Sequence, residues 1–291
     1  MTQLLSPELL ARLERMELVS RKIFRGRLKG ERRSRRKGQS VEFTDFRNYV
    51  AGDDLRFIDW NLYARLDRLY LKLFLEEEDL HFHTIVDASE SMQFGEPTKL
   101  FYAKQLAASL GFVGLCRADR VQIQTLGEAS PASAVWRSRS ELGKMLDYLT
   151  HVSGGENISL SEGIKRFCLR RRGRGIVVLI TDLLDKAGYE TALRMLAARD
   201  LDTYLIHVMA PEELDPELTG DLNLVDCEDG DTTDISISRA VLNRYQKTVA
   251  SYCEQAREFC TRRSITYLRA NTEVPVEQLI GTYLRERGLV R

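Results

Sequence analysis

Residues 81–92, HFHTIVDASESM, decide the fold of this chain. Their first half is a short apolar run typical of a buried β-strand, and it ends directly in Asp87. Ser89 and Ser91 follow at alternate positions. The periodic stretch that begins at Lys99 then predicts a helix. An acid and two hydroxyl groups therefore lie in a predicted strand-to-helix turn.

A second buried strand is predicted at residues 175–181, GIVVLIT, and it ends in the acids Asp182 and Asp185. Its unbroken apolar character is typical of a strand covered on both faces of a parallel sheet. Strands and helices alternate from residue 81 onward, which favours an α/β fold with a mainly parallel sheet. Residues 221–238, DLNLVDCEDGDTTDISIS, alternate around an Asp-Gly and predict an antiparallel hairpin.

The two strand ends predict a metal site. Open α/β sheets bind ligands at the carboxyl ends of their strands, so Asp87, Ser89, Ser91 and Asp182 are expected to share one crevice. Carboxylate and hydroxyl oxygens suit Mg²⁺ or Mn²⁺. The alternative is that the serines only cap the helix that follows.

Composition places the chain among globular proteins of the cytoplasm. It has 291 residues, of which 43% are hydrophobic and 30% charged. Its five cysteines form no C-x-x-C pair, which indicates reduced thiols. No apolar run approaches the roughly 18 residues of a membrane span, and the N-terminus has no signal-peptide core.

Net charge is zero, but the charges are segregated. Residues 21–37 contain ten Lys or Arg and one acid, whereas residues 212–234 contain ten acids and no Lys or Arg. Such blocks usually mark solvated or partner-facing surfaces. They could also face each other within the fold or between two copies, and the sequence does not decide this or the oligomeric state.

The first 80 residues are predicted to form an N-terminal extension, and residues 81–291 the α/β domain. Residues 7–23 have the spacing of an amphipathic helix. Residues 25–40 are basic and punctuated by glycine, which indicates a loop. Residues 41–80 are expected to form a compact module before the first strand of the sheet.

The segment GDDLRFIDW within this module clusters three acids: Asp53, Asp54 and Asp59. Paired carboxylates can act as general acid and base. The favoured interpretation is structural, with Ile58 and Trp60 anchoring the segment to the main sheet. Three arginines are then expected to form ion pairs with the acids: Arg47, Arg56 and Arg65.

These motifs resemble two known patterns. DASESM followed by Lys99 resembles the metal-ion-dependent adhesion site of von Willebrand factor A domains. Residues 41–78 resemble the hallmark of a bacterial family called domain of unknown function fifty-eight. The matching residues are Glu42, Phe43, Arg47, Tyr49, Gly52, Asp53, Asp54, Arg56, Ile58, Asp59, Trp60, Ala64 and Arg65.

The resemblance implies a doubly wound, mainly parallel sheet of von Willebrand factor A type. It also implies partners, since members are often encoded beside MoxR-type AAA+ ATPases. One position departs from the adhesion-site pattern: the loop that normally supplies a threonine has Glu156 after Gly154 and Gly155. Glu156 could coordinate a metal, plug the site, or mark a site that binds none.

The sequence therefore predicts a cytoplasmic, metal-dependent protein-interaction module that works with a MoxR-type ATPase on an unknown client. Asp87, Ser89 and Ser91 would bind the metal, with Asp182 behind them and Glu156 as a fifth candidate. No phosphate-binding loop or nucleophile elbow is present, so no enzyme activity is predicted. Two alternatives stay open: a metal-dependent hydrolase that uses the same acids, and a less favoured nucleic-acid-binding protein that uses residues 21–37.

Overall fold

The computed structural model describes residues 4–20, 42–75, 80–126, 134–155, 158–170, 174–225 and 230–291. The chain divides into two compact units. One comprises Met1–Arg25 and Leu80–Arg291, and the other comprises Gly26–Asp79. The first residues of the chain therefore group with the larger unit, not with the extension in which the sequence-based division at residue 80 places them.

The strands and helices are named here in chain order: α1 (Pro7–Leu13), β1 (Glu42–Asn48), α2 (Trp60–Leu66), β2 (Tyr70–Leu75), β3 (His81–Asp87), α3 (Lys99–Cys116), β4 (Arg120–Leu126), α4 (Leu142–Thr150), α5 (Leu160–Arg170), β5 (Gly175–Thr181), α6 (Glu190–Ala197), β6 (Leu201–Met209), α7 (Pro211–Leu214), β7 (Gly220–Val225), β8 (Thr232–Ile237), α8 (Arg239–Thr261), β9 (Thr266–Asn271) and α9 (Val276–Gln278).

The larger unit is built on a five-stranded sheet with the order β4-β3-β5-β6-β9. Every neighbouring pair in it is parallel. The first strand of the sheet along the chain, β3, thus lies between the second, β4, and the third, β5, and the later strands follow on the side of β5. This is a doubly wound arrangement, and the strand order reverses between β3 and β5. The predicted α/β fold class, with its mainly parallel sheet, is confirmed.

Both faces of this sheet are covered by apolar helix faces. Helices α1, α3, α4 and α9 contribute to the cluster that contains Phe82 and Ile180. Helices α5, α6 and α8 contribute to the cluster that contains Ile85 and Leu179. Alternate residues of one strand thus enter opposite cores, which explains the unbroken apolar run of β5.

The Asp-Gly segment forms the predicted hairpin. Strands β7 and β8 pair antiparallel, with Leu222 opposite Ile235, as a separate two-stranded sheet. Among the described residues, no helix is long and apolar enough to cross a membrane.

The two ends of the larger unit differ from prediction. Helix α1 ends at Leu13, ten residues before the predicted end, because the chain then pairs with the C-terminus: Leu18 bridges Val290, and Arg291 N donates to Glu17 O at 2.9 Å. The closing helix predicted over residues 275–287 begins as α9 and continues as a π-helical segment, Leu279–Leu284.

The smaller unit is a β1–β2 antiparallel hairpin with α2 between its strands. Asp59 caps α2 by accepting hydrogen bonds from the backbone N–H groups of Asn61 and Leu62 at 2.9 and 3.0 Å. The basic stretch at residues 25–40 lies outside the described residues.

Candidate functional site

The carboxyl ends of β3 and β5 meet where the strand order of the sheet reverses. Val86 and Ile180 are register partners, so Asp87 and Thr181 end adjacent strands side by side. The Thr181 hydroxyl donates a hydrogen bond of 2.6 Å to Asp87 Oδ2. The sheet thus brings the two predicted strand ends into one crevice, at the position where open α/β sheets bind ligands.

The two serines form a hydroxyl pair at the rim of this crevice. Ser89 N donates to Asp87 Oδ1 at 3.0 Å, which folds the turn back over the carboxylate. The Ser89 and Ser91 Oγ atoms lie 3.1 Å apart. The Ser89 side chain makes no capping hydrogen bond, and Thr98 caps α3 instead. The interpretation that the serines serve only as helix caps is therefore wrong for Ser89.

Asp182 is bound by a buried lysine. Lys99 Nζ donates to Asp182 Oδ2 at 2.7 Å and to Glu213 Oε1 at 2.5 Å. The Lys99 side chain is 0% exposed. The ammonium therefore joins the end of β5, the start of α3 and helix α7 at one point behind Asp87.

The two acids of the crevice are neutralised to different degrees. Burial raises the pKa of Asp87, and the nearby charge of Asp182 raises it further. Burial acts to lower the pKa of Lys99, but the carboxylates of Asp182 and Glu213 outweigh it, so this pKa is raised. Among the described residues, Asp87 has neutral donors and no cationic partner.

A buried histidine lies beside Asp182. His207, on β6, shares a 2.8 Å hydrogen bond between Nδ1 and the Tyr267 hydroxyl. Burial lowers the pKa of His207 to about 4, so its ring is neutral near pH 7 and does not supply the crevice with positive charge.

The glycine loop that precedes Glu156 lies against the serine turn. Gly155 N donates to Ala88 O at 3.0 Å. A side chain at position 155 would come within 2.9 Å of Glu90 Oε2. The backbone φ of Gly155 is +100°, a conformation that favours glycine. Glu156 itself lies outside the described residues, so its predicted role stays a prediction.

The residues present fit a hard divalent cation. Asp87 is half-buried and has no cationic partner among the residues that the structure describes. Two serine hydroxyls lie in the same turn, and such hard oxygens are what Mg²⁺ prefers. No group of three or more His, Cys, Asp or Glu side chains converges in the described part of the chain. A cation here would therefore depend on the serine hydroxyls. Asp87, Ser89 and Ser91 would hold it, and it would supply an electrophilic position for an incoming carboxylate.

The acids of the smaller unit are engaged in ion pairs. Arg47 binds Asp53 at 2.8 Å and Arg56 binds Asp54 at 2.5 Å, as predicted. Asp59 pairs with Lys72 at 3.1 Å rather than with Arg65, because Lys72 lies on the neighbouring strand β2.

The two predicted anchors of this unit differ. Ile58 is buried, whereas Trp60 is 60% exposed and packs edge-on against Tyr63 of the same helix. Ile58 bridges Leu71 of the same unit. Anchoring of either residue to the main sheet stays a prediction.

Two residues of the crevice, Lys99 and Glu213, lie outside the predicted ligand set, and one strand-end acid, Asp185, lies outside the crevice. The sequence predicts Lys99 as the start of a helix and as part of the adhesion-site resemblance, but not as an ion-pair partner of Asp182. A lysine in the first turn is disfavoured by the helix dipole and is a signal for acidic neighbours. Glu213 is 114 residues away, inside an acidic block where no single acid stands out. Asp185 does not join the crevice through these contacts, since it accepts hydrogen bonds from the backbone of Leu160 and Ala187.

Sequence comparison decides the family. The model described as "Protein of unknown function DUF58" matches residues 45–255, which is more than half of the chain. The chain belongs to the DUF58 family. The curated relatives of this DUF58 protein include the uncharacterized proteins Rv1480 of Mycobacterium tuberculosis and Mb1516 of Mycobacterium bovis. Each is 26% identical over 252 residues, which span 84% of this chain and 79% of the relative.

Solved structures similar to this DUF58 protein include von Willebrand factor A domains. The conserved hypothetical protein BatB from Bacteroides thetaiotaomicron has 17% identity and a TM-score of 0.44, covering 71% of this chain and 98% of its own. The SpRpn10 VWA domain has 14% identity and a TM-score of 0.39, covering 70% and 94%. These scores are low, so the fold description rests on the strand order and the strand-end motif.

Proposed function

We propose that this DUF58 protein is a protein-interaction module whose binding surface is completed by a divalent cation. The observation that carries the proposal is the pairing of Asp87 with Thr181, which holds a half-buried carboxylate in the same turn as two serine hydroxyls at the switch point of the sheet. The carboxylate has only neutral donors among the described residues. A cation bound there would satisfy it and attract an acidic side chain of a partner.

The partner proposed is a MoxR-type AAA+ ATPase, with the chain acting as an adaptor toward a client protein. This part of the proposal is supported by the family, because DUF58 members are often encoded beside such ATPases. The chain has no phosphate-binding loop of its own, so nucleotide hydrolysis would belong to the partner.

The proposal is tested by binding of the chain to a purified MoxR-type ATPase from the same organism at constant Mg²⁺. Because the Mg²⁺ concentration is the same in every measurement, any effect of Mg²⁺ on the ATPase itself is the same for wild type and variants. Asp87→Ala is expected to weaken binding at least about tenfold, corresponding to 1.4 kcal/mol. Asp147→Asn is the matched control, since Asp147 is an exposed acid of α4. Equal affinities for wild type and Asp87→Ala would overturn the metal-dependent interface.

A further inference from the structure

The buried lysine of the crevice has a cost that its neighbours must offset. Lys99 is the first residue of α3, where the helix dipole disfavours a positive charge, and its side chain is 0% exposed. Removing an ammonium from water is strongly unfavourable unless anions compensate it. Two carboxylates do so, from Asp182 and Glu213.

Both of these carboxylates are fully engaged. Asp182 Oδ1 accepts a hydrogen bond from Leu184 N at 3.1 Å, while its Oδ2 is bound by Lys99. Glu213 Oε2 accepts from Ala210 N at 2.8 Å, while its Oε1 is bound by Lys99. Neither acid therefore has an oxygen left without a donor.

Asp87 is held differently. Its two oxygens accept from a backbone N–H and from the Thr181 hydroxyl, and neither of these donors carries a charge. Within the described residues, the crevice thus contains one carboxylate with a cationic partner, Asp182, and one without, Asp87. A divalent cation entering the crevice would meet Asp87 and the hydroxyls, but it would compete with an ammonium for Asp182.

We propose that Lys99 is the resident cation of the crevice and that it limits affinity for divalent cations by occupying Asp182. The inference rests on the proposed metal-dependent function and adds a specificity-determining residue to it. Lys99 keeps the crevice folded without a metal, and it makes metal binding weak and reversible. Asp182 then acts through Lys99 and is not a ligand in the wild-type chain.

The test is a calorimetric titration of the full chain with Mn²⁺, comparing wild type, Lys99→Met and Lys99→Gln. Both variants remove the positive charge that opposes a second cation at Asp182, so Mn²⁺ affinity is expected to rise at least about tenfold. Lys99→Gln retains hydrogen-bonding capacity toward both acids, which covers the case in which Lys99→Met fails to fold. Lys104→Met is the matched control: Lys104 lies on the same helix and donates to the Val152 carbonyl, not to a carboxylate. Its Mn²⁺ affinity is expected to equal that of wild type.

The outcomes separate this inference from the proposed function. If wild type binds Mn²⁺ and both Lys99 variants bind no more tightly, Lys99 is only structural and the inference fails while the function stands. A second outcome is that wild type binds no Mn²⁺, Lys99→Gln binds it, and adding Asp87→Ala to Lys99→Gln removes that binding. The inference about Lys99 then stands, while the proposed metal site of the wild-type chain fails. If no variant binds Mn²⁺, both are overturned.

Discussion

Lys99 and Asp182, 83 residues apart in the chain, form a buried ion pair of 2.7 Å behind the strand-end crevice. The pair joins the end of β5 to the start of α3, across the point where the strand order of the sheet reverses. In the described part of the chain, the crevice therefore has one half in which the protein supplies a cation and one half, at Asp87, in which it supplies none.

The hydroxyl of Thr181 is expected to stabilise the crevice. It donates to Asp87 Oδ2 and accepts a hydrogen bond from Leu183 N at 3.0 Å. Thr181→Val would leave these buried polar groups without a partner, which should lower the free energy of unfolding by about 1–3 kcal/mol. Urea denaturation measures the change.

Thr84→Val is the control for this substitution. Thr84 is equally buried, on the adjacent strand β3, but its hydroxyl has no hydrogen-bond partner in the described structure. Its replacement should leave stability unchanged or raise it slightly. Equal losses for the two variants would mean that the Thr181 hydrogen bonds contribute nothing specific.

The contact between β5 and β3 is expected to require glycine at position 175. A methyl group there would lie 2.2 Å from the backbone oxygen of His81, which cannot move without disturbing the sheet. Gly175→Ala should therefore destabilise the protein by roughly 1–3 kcal/mol. Gly143→Ala, on α4, has open space and should stabilise by about 0.5–1 kcal/mol through helix propensity. Thermal unfolding should show a lower unfolding temperature for Gly175→Ala and a higher one for Gly143→Ala. An unchanged unfolding temperature for Gly175→Ala would contradict the close contact between Gly175 and the His81 backbone.

The cap of α2 is expected to depend on the charge of Asp59. The Asp59 carboxylate accepts hydrogen bonds from the N–H groups of Asn61 and Leu62. Asp59→Ala should therefore speed amide hydrogen exchange at these two residues and lower the stability of the chain. Asp54→Ala is the control, because Asp54 binds the exposed Arg56 instead. Unchanged exchange at both amides in Asp59→Ala would rule out the cap.

The pH dependence of this cap follows from the same contacts. The hydrogen bond from Leu62 N lowers the pKa of Asp59, and Lys72 lowers it further. A lowered pKa means that the folded state favours the carboxylate. Protection of the two amides should therefore be present above the usual pKa of an aspartate and should be lost as pH falls through the lowered value.

The sheet and the convergence of its two strand ends were predictable because their signals are local. The apolar run of β5 and the D-x-S-x-S turn after β3 each lie within a few residues, and parallel strands must bring their carboxyl ends to one edge. The hairpin was predictable for the same reason, since Asp-Gly lies in the sequence between two alternating stretches.

The remaining contacts were not predictable because they join distant parts of the chain. Glu213 binds Lys99 across 114 residues of sequence. Asp59 pairs with Lys72, a residue of strand β2 that the predicted set of arginine partners did not include. Helix α1 ends early because Leu18 pairs with Val290 at the other end of the chain. Helical spacing in the sequence cannot report such competition.

The central claim, a divalent-cation site at Asp87, is tested most directly by thermal unfolding with and without millimolar Mg²⁺, for wild type and Asp87→Ala. A cation at a hundred times its dissociation constant adds roughly 2.7 kcal/mol of stability, which is readily measured. The account predicts a Mg²⁺-dependent rise in the unfolding temperature of wild type and none in Asp87→Ala. The absence of a shift in wild type, or an equal shift in both proteins, would contradict it.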